Sequence, residues 1–298
     1  MKSGVGAVRG TLSTEIVGVS VGPLRQVVDA RWLMAYAAAL GETDAGYFDT
    51  LTPAGPRAHP LFPVCYEWPA AVALRDRTIP AELQPQGVHA LHHVIVHRPP
   101  RAGDSLRTTA RVIDVAPRRS GTLVIARFET VEAGGQPVST TEYGSVYREV
   151  ILATDRGSGD LATSPPNTDR HPAATGDGAW HERVDVAANA AHVYTECARI
   201  FNPIHTDGAV ARRAGLPAPI LHGSATLALA ISRLVARELG GDPDRVGEIR
   251  TRFSGMVRLP SSFTVRGRRV GAGRIVFDAV GADGAHVLSQ GLVVACDR

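Results

Sequence analysis

The sequence predicts an α+β protein made of two copies of one plan, each an antiparallel sheet wrapped around a long central helix. Three observations carry this. The chain has 298 residues, enough for two domains that each bury a core. A stretch rich in Pro, Gly, Ser, Thr and Asp, with few large apolar side chains, runs from Ala153 to Gly178 and reads as a linker. The parts on either side of it can be laid over one another. The expected division is therefore a degenerate first domain over residues 1–152, a linker over 153–178, and a second domain over 179–298 carrying the site.

Each half opens with a helical stretch, Arg31 to Leu40 and Ala188 to Ala198, followed by an irregular Pro-containing segment. A second apolar helix comes next. It is clearest from Gly223 to Leu239, where Leu, Ala, Ile and Val leave almost no polar face and Gly240-Gly241 forms the stop. Strands are expected at His89–His97, Ser105–Val115, Thr122–Val131 and Val138–Val146 in the first half. Their counterparts in the second are Glu248–Val257, Ser262–Gly267, Arg274–Val280 and His286–Val294. Glu132-Ala133-Gly134-Gly135 and Gly281-Ala282-Asp283-Gly284 are the hairpin turns. A gapless superposition sets Tyr36–Asp49 on Tyr194–Asp207 and Phe62-Pro63-Val64-Cys65 on Ile220-Leu221-His222-Gly223.

Composition narrows the function classes. With 44% hydrophobic and 20% charged residues and no apolar run of bilayer length, the chain reads as globular with no membrane partner. The N-terminus lacks a signal-peptide pattern, so a cytoplasmic location is expected. A net charge of only +3, with arginines interspersed among acids, argues against a nucleic-acid partner. Cys65, Cys197 and Cys296 have no metal-ligand or disulfide spacing.

The chemistry concentrates in Arg199-Ile200-Phe201-Asn202-Pro203-Ile204-His205-Thr206-Asp207 and Ile220-Leu221-His222-Gly223. Imidazole titrates near neutrality, so His205 is a candidate to accept and then donate a proton. Gly223 opens a helix, where unpaired amides and the positive dipole end can stabilise an oxyanion. Asn202 and Pro203 shape the turn that aims His205. Asp207 caps the helix expected over Gly208–Ala214, and His222 is a supporting residue beside the pocket.

These residues resemble the MaoC-like, or R-specific enoyl hydratase, family of two-domain type. Asn-Pro-aliphatic-His at Asn202–His205, Asp207 and Leu221-His222-Gly223 match its pattern, and Ala58–Pro63 with His97–Asp104 resemble its degenerate first domain. The resemblance implies a double hotdog fold, no cofactor, and a dehydratase or enoyl hydratase acting on 3-hydroxyacyl or 2-enoyl thioesters of coenzyme A or acyl carrier protein. Ile200, Phe201 and Leu221 are then the candidate substrate contacts, and a homodimer of double hotdogs is a possible assembly. Arg98, Arg101, Arg118 and Arg119 are candidates for the thioester's phosphates.

Where the family carries Gly-Asp, this chain has Arg199 and Ile200, so the carboxylate that works with the histidine is absent. The superposition places Glu42 opposite Ile200 and Tyr47 opposite His205, which raises the idea that Glu42 complements His205. Two other readings compete: a non-catalytic acyl-thioester-binding or partner subunit, and an isomerase or cyclase needing one base and an oxyanion donor.

Overall fold

A computed structural model describes residues 10–153 and 172–297 of the chain. Of the expected linker, residues 154–171 lie outside the described residues. The first half contains β1 (Gly10–Ser13), β2 (Ser20–Val27), α1 (Ala30–Ala39), α2 (Pro63–Thr78), β3 (Gly87–Val96), β4 (Ser105–Arg118), β5 (Gly121–Glu132), β6 (Pro137–Arg148) and β7 (Val150–Ala153). The second contains β8 (Trp180–Val186), α3 (Ala190–Ala198), α4 (Gly208–Arg213), α5 (Gly223–Glu238), β9 (Val246–Phe253), β10 (Ser261–Gly271), β11 (Arg274–Gly281) and β12 (His286–Ala295).

Ten strands form one sheet in the order β2-β4-β5-β6-β3-β9-β12-β11-β10-β8. Read outward from the middle, both halves follow the same path, and every neighbouring pair is antiparallel. The seam is β3 against β9, with Leu91 opposite Arg252 and Ile95 opposite Glu248. Tyr36 on α1 and Tyr194 on α3 are partners in the repeat, and their hydroxyls meet at 3.3 Å. Strands β1 and β7 form a separate parallel pair.

Helix α5 is the centre of the second half. Leu227, Ala228, Ala230, Ile231 and Leu234 are fully enclosed by the same core cluster as Phe263, Val265, Ile275, Phe277 and Val293 of the sheet. Burial of a Leu or Ile side chain contributes about 1.5–3 kcal/mol, and the run from Thr226 to Val235 repeats it on nearly every face. Gly240 and Gly241 both take positive φ and end the helix, as expected.

The expected strands appear with small differences at their ends, but β1, β2, β7 and β8 were not anticipated, and of these β2 and β8 end the large sheet. Both are edge strands with largely exposed, alternating side chains, so little apolar periodicity marks them. The gapless superposition also fails beyond the first turn. The short 3-10 turns Ala45–Tyr47 and Pro203–His205 keep the register of Tyr36 and Tyr194, but the central helices start at Pro63 and Gly223, a slip of two residues. Residues 206–222, which include α4, are two longer than residues 48–62. Gly223 therefore corresponds to Pro63 rather than to Cys65.

Candidate active site

Asn202 accepts from the Ile204 N–H at 3.4 Å and caps the 3-10 turn whose first residue is Pro203 and whose last is His205. His205 is 8% exposed and approaches the Ile220 carbonyl at 2.8 Å through Nδ1. A carbonyl only accepts, so Nδ1 carries the proton and Nε2 keeps its lone pair. Ile220 is itself pinned, since the next residue donates its N–H to the Val257 carbonyl at 2.9 Å. The His205 imidazole is therefore held in one tautomer by backbone.

Burial pushes the His205 imidazole down to about 4, partly opposed by the Ile220 carbonyl. His222 lies stacked on it, ring centroids 3.7 Å apart and planes 28° from parallel. Burial, then the nearness of His205, push His222 down to about 2. Its Nε2 meets the Thr195 hydroxyl at 3.2 Å. Both rings are thus neutral at physiological pH.

Helix α5 begins at Gly223, and no side chain caps it, so the amides of its first turn have no helix partner. A Cβ on Gly223 would meet the Phe253 ring at 3.2 Å and His89 Nδ1 at 3.7 Å, which places the first half's β3 directly against this helix end. One cavity of about 240 Å³ joins these groups. Its wall includes Ile200, His205, Leu221 and Gly223 from the second half, and it continues along α2 and the sheet of the first.

Several expected site residues fall elsewhere. Phe201 is 58% exposed and does not line the cavity, because successive side chains alternate across the extended segment: Ile200 and Asn202 face in, Phe201 out. Asp207 accepts from the Ala209 and Val210 amides at 2.7 and 3.0 Å and caps α4 without reaching the cavity wall. Pro203 likewise acts only through the turn. Arg98 is held by Asp104 and Glu132, each at 2.7 Å, which neutralises it as a phosphate ligand.

Glu42 does not join His205. It lies 4.0 Å from His59 Nε2, beside Ser232 of α5, and does not line the cavity. His59 Nδ1 accepts the Leu61 amide at 3.1 Å, so Nε2 carries the proton and cannot deprotonate Ser232.

Arg199 takes φ +59°, the left-handed region that glycine favours. It is held there by stacking 4.1 Å over the Trp32 ring and by pairing with Asp29 at 3.3 Å, both in the first half. Next to it Ile200, 5% exposed, puts an aliphatic side chain on the cavity wall.

Residues 180–288 match the MaoC like domain, and residues 15–141 match the FAS1-like dehydratase domain region. The second half of the chain carries a MaoC-like domain, and the fold is a double hotdog. The chain is 26% identical over 190 residues to a probable enoyl-CoA hydratase 2 of Dictyostelium discoideum, spanning 63% of this chain and 62% of that one. It is 29% identical over 220 residues to 3-hydroxyacyl-thioester dehydratase Y of Mycobacterium tuberculosis, spanning 69% and 71%. The crystal structure of a MaoC-like dehydratase from Phytophthora capsici superposes with a TM-score of 0.78 at 24% identity, over 95% of this chain and 97% of that one.

Reading the sequence missed His89, His92, Tyr143 and Glu67, all on the cavity wall and all from the first half. A signal was present. His89 and His92 sit in a strand otherwise rich in apolar residues, and Glu67 interrupts the helix of Val64 to Leu74. Among the described residues no cluster of three or more His, Cys, Asp or Glu is arranged to hold a metal ion, and no helix is long and apolar enough to cross a membrane.

Proposed function

We propose that this MaoC-like protein is a hydro-lyase that interconverts 3-hydroxyacyl and 2-enoyl thioesters of coenzyme A or acyl carrier protein. The observation that carries it is the locked tautomer of His205: a lone pair at Nε2 on the wall of a cavity that also holds the uncapped amides at Gly223. In dehydration the Gly223 amide polarises the thioester carbonyl, which acidifies the α-carbon. His205 Nε2 takes the α-proton and returns it to the departing β-hydroxyl on the same face of the substrate. A conjugate acid with pKa about 4 is a good donor to that leaving group and a weak base toward carbon, so the step depends on oxyanion stabilisation. The relatives named for hydratase and dehydratase activity support the same reading.

Ile200 favours a second reading, a binding or partner subunit that holds the thioester without turning it over, because no carboxylate assists His205 in positioning water. The test is the absorbance of the enoyl thioester on addition of the full chain. Turnover in the wild type that disappears in His205→Ala, with thioester binding retained, supports the hydro-lyase. Tight binding without absorbance change at any chain length establishes the second reading.

A further inference from the structure

Beyond Gly223 the cavity follows α2 from Val64 to Thr78, roughly 21 Å of helix at 1.5 Å per residue, far more than the reacting carbons need. Part of its wall is aliphatic and aromatic, as an alkyl chain requires: Ala71, Leu74, Val112, Val124, Phe128. One stretch is not. His92, 1% exposed, faces it with neither ring nitrogen bonded. A neutral imidazole has one donor and one acceptor, and each left unmet in the interior costs about 1–3 kcal/mol. Folded proteins rarely keep such a pair without a hydrogen-bonding partner.

Glu67 adjoins the same stretch. Its Oε1 accepts from both the Ser139 and Thr141 hydroxyls, at 3.0 and 2.8 Å. Thr141 lies two residues from Tyr143, on the same face of β6, and Tyr143 is the cross-strand partner of His92. Burial pushes the Glu67 carboxyl up to about 8, and the two hydroxyl bonds oppose this only in part. At neutral pH it therefore holds a proton and offers an O–H donor. Arg75, the guanidinium on this wall, is bonded to Asp76 at 3.0 Å, so nothing here compensates an anionic guest.

We infer that the acyl group bound here carries a neutral oxygen function, a hydroxyl or keto group beyond the reacting carbons, which His92 and Glu67 recognise by hydrogen bonds. This rests on the reading of the cavity as an acyl-thioester site, and it makes the first half the element that sets specificity.

The test uses the full chain and a series of enoyl thioesters of one length, unsubstituted or bearing a single hydroxyl or keto group at successive carbons past the β-carbon. At one or two positions the substituted substrate should exceed the plain one in kcat/KM by tenfold or more, mostly through KM. His92→Leu and Glu67→Leu should bring that ratio near one, and Glu67→Gln, which keeps a donor of the same shape, should retain most of it. Melting curves identify any variant that fails to fold, and the wild-type substrate series, which needs no variant, then carries the comparison. Equal kcat/KM across the wild-type series overturns the inference. If no substrate is turned over, calorimetric titration with the saturated acyl, hydroxyacyl and ketoacyl thioesters reads the same preference. Selective binding then overturns only the hydro-lyase, equal binding overturns the inference, and no binding overturns both.

Discussion

The two halves share a sheet path and a helix plan, yet their equivalent corners carry different groups. In the second, a 3-10 turn ends in His205 and the central helix begins at Gly223 with its amide uncapped. In the first, the turn ends in Tyr47 and the helix begins at Pro63, which has no N–H to offer an oxyanion. The corner is also filled: Phe62 packs edge-on against Trp32 at 5.1 Å and against Tyr36 at 5.6 Å. The fold repeats because apolar burial is tolerant of side-chain identity, whereas a proton-transfer site needs specific atoms at specific places. What the first half contributes is a wall: β3, β6 and α2 enclose the cavity that starts at the second half's helix end.

The sharpest break of this comparison is His205→Ala, which should lower kcat by about 10²–10⁴-fold, the range for losing an acid–base group. Tyr47→Phe at the equivalent place should leave kcat unchanged, since the Tyr47 hydroxyl has no partner. Equal effects of the two in steady-state assays would erase the distinction between the corners.

Gly223→Pro copies the first half's helix start, keeping the helix and removing the amide hydrogen. It should cost about 10²–10³ in kcat. Gly223→Ala keeps the N–H and adds a Cβ 3.2 Å from the Phe253 ring, and is the control for bulk. Equal losses in both would assign the effect to crowding.

Ile200→Asp puts a carboxylate on the cavity wall beside His205 and should raise turnover about tenfold or more, with some loss of thermal stability from burying an acid. A stable variant with no gain would show that the missing acid is not what limits the rate.

The pH profile separates His205 from an ordinary histidine. Its pKa is lowered, so the base form persists down to about pH 4, and kcat/KM should stay flat on the acid side until that point instead of falling near 6.5. The same shift enters stability. The contribution of neutral His205 is complete above pH 6.5 and is lost as pH falls through about 4, with His222 extending the loss toward about 2. Stability curves by denaturant at each pH check the sign.

The smallest effect is expected at Asp207→Ala, about 1 kcal/mol for the lost cap of α4. It should move the melting temperature and leave kcat nearly untouched, as fits a residue outside the cavity wall.

Much of this was legible in sequence. The duplication, the all-round apolar run of α5, the Gly-rich turns and the Asn-Pro-Ile-His turn are local patterns, and local patterns survive reading one residue at a time. Edge strands β2 and β8 were missed because half-exposed strands carry weak periodicity, and the two-residue slip because α4 lengthens one half without disturbing either repeat's helices.

What the sequence by itself determined is the plan: two copies of one fold, a histidine in an Asn-Pro turn, a glycine at a helix start, and an isoleucine five residues before that histidine. The tertiary structure decided which nitrogen of His205 is free, because the Ile220 carbonyl that fixes it arrives from fifteen residues away. It also decided that Glu42 belongs to His59 rather than to His205, and that β3 brings His89 and His92 to the cavity wall. The first two are contacts across loops within one half and the third depends on how the halves pack across the β3–β9 seam, so all three are set by tertiary packing rather than by local sequence pattern.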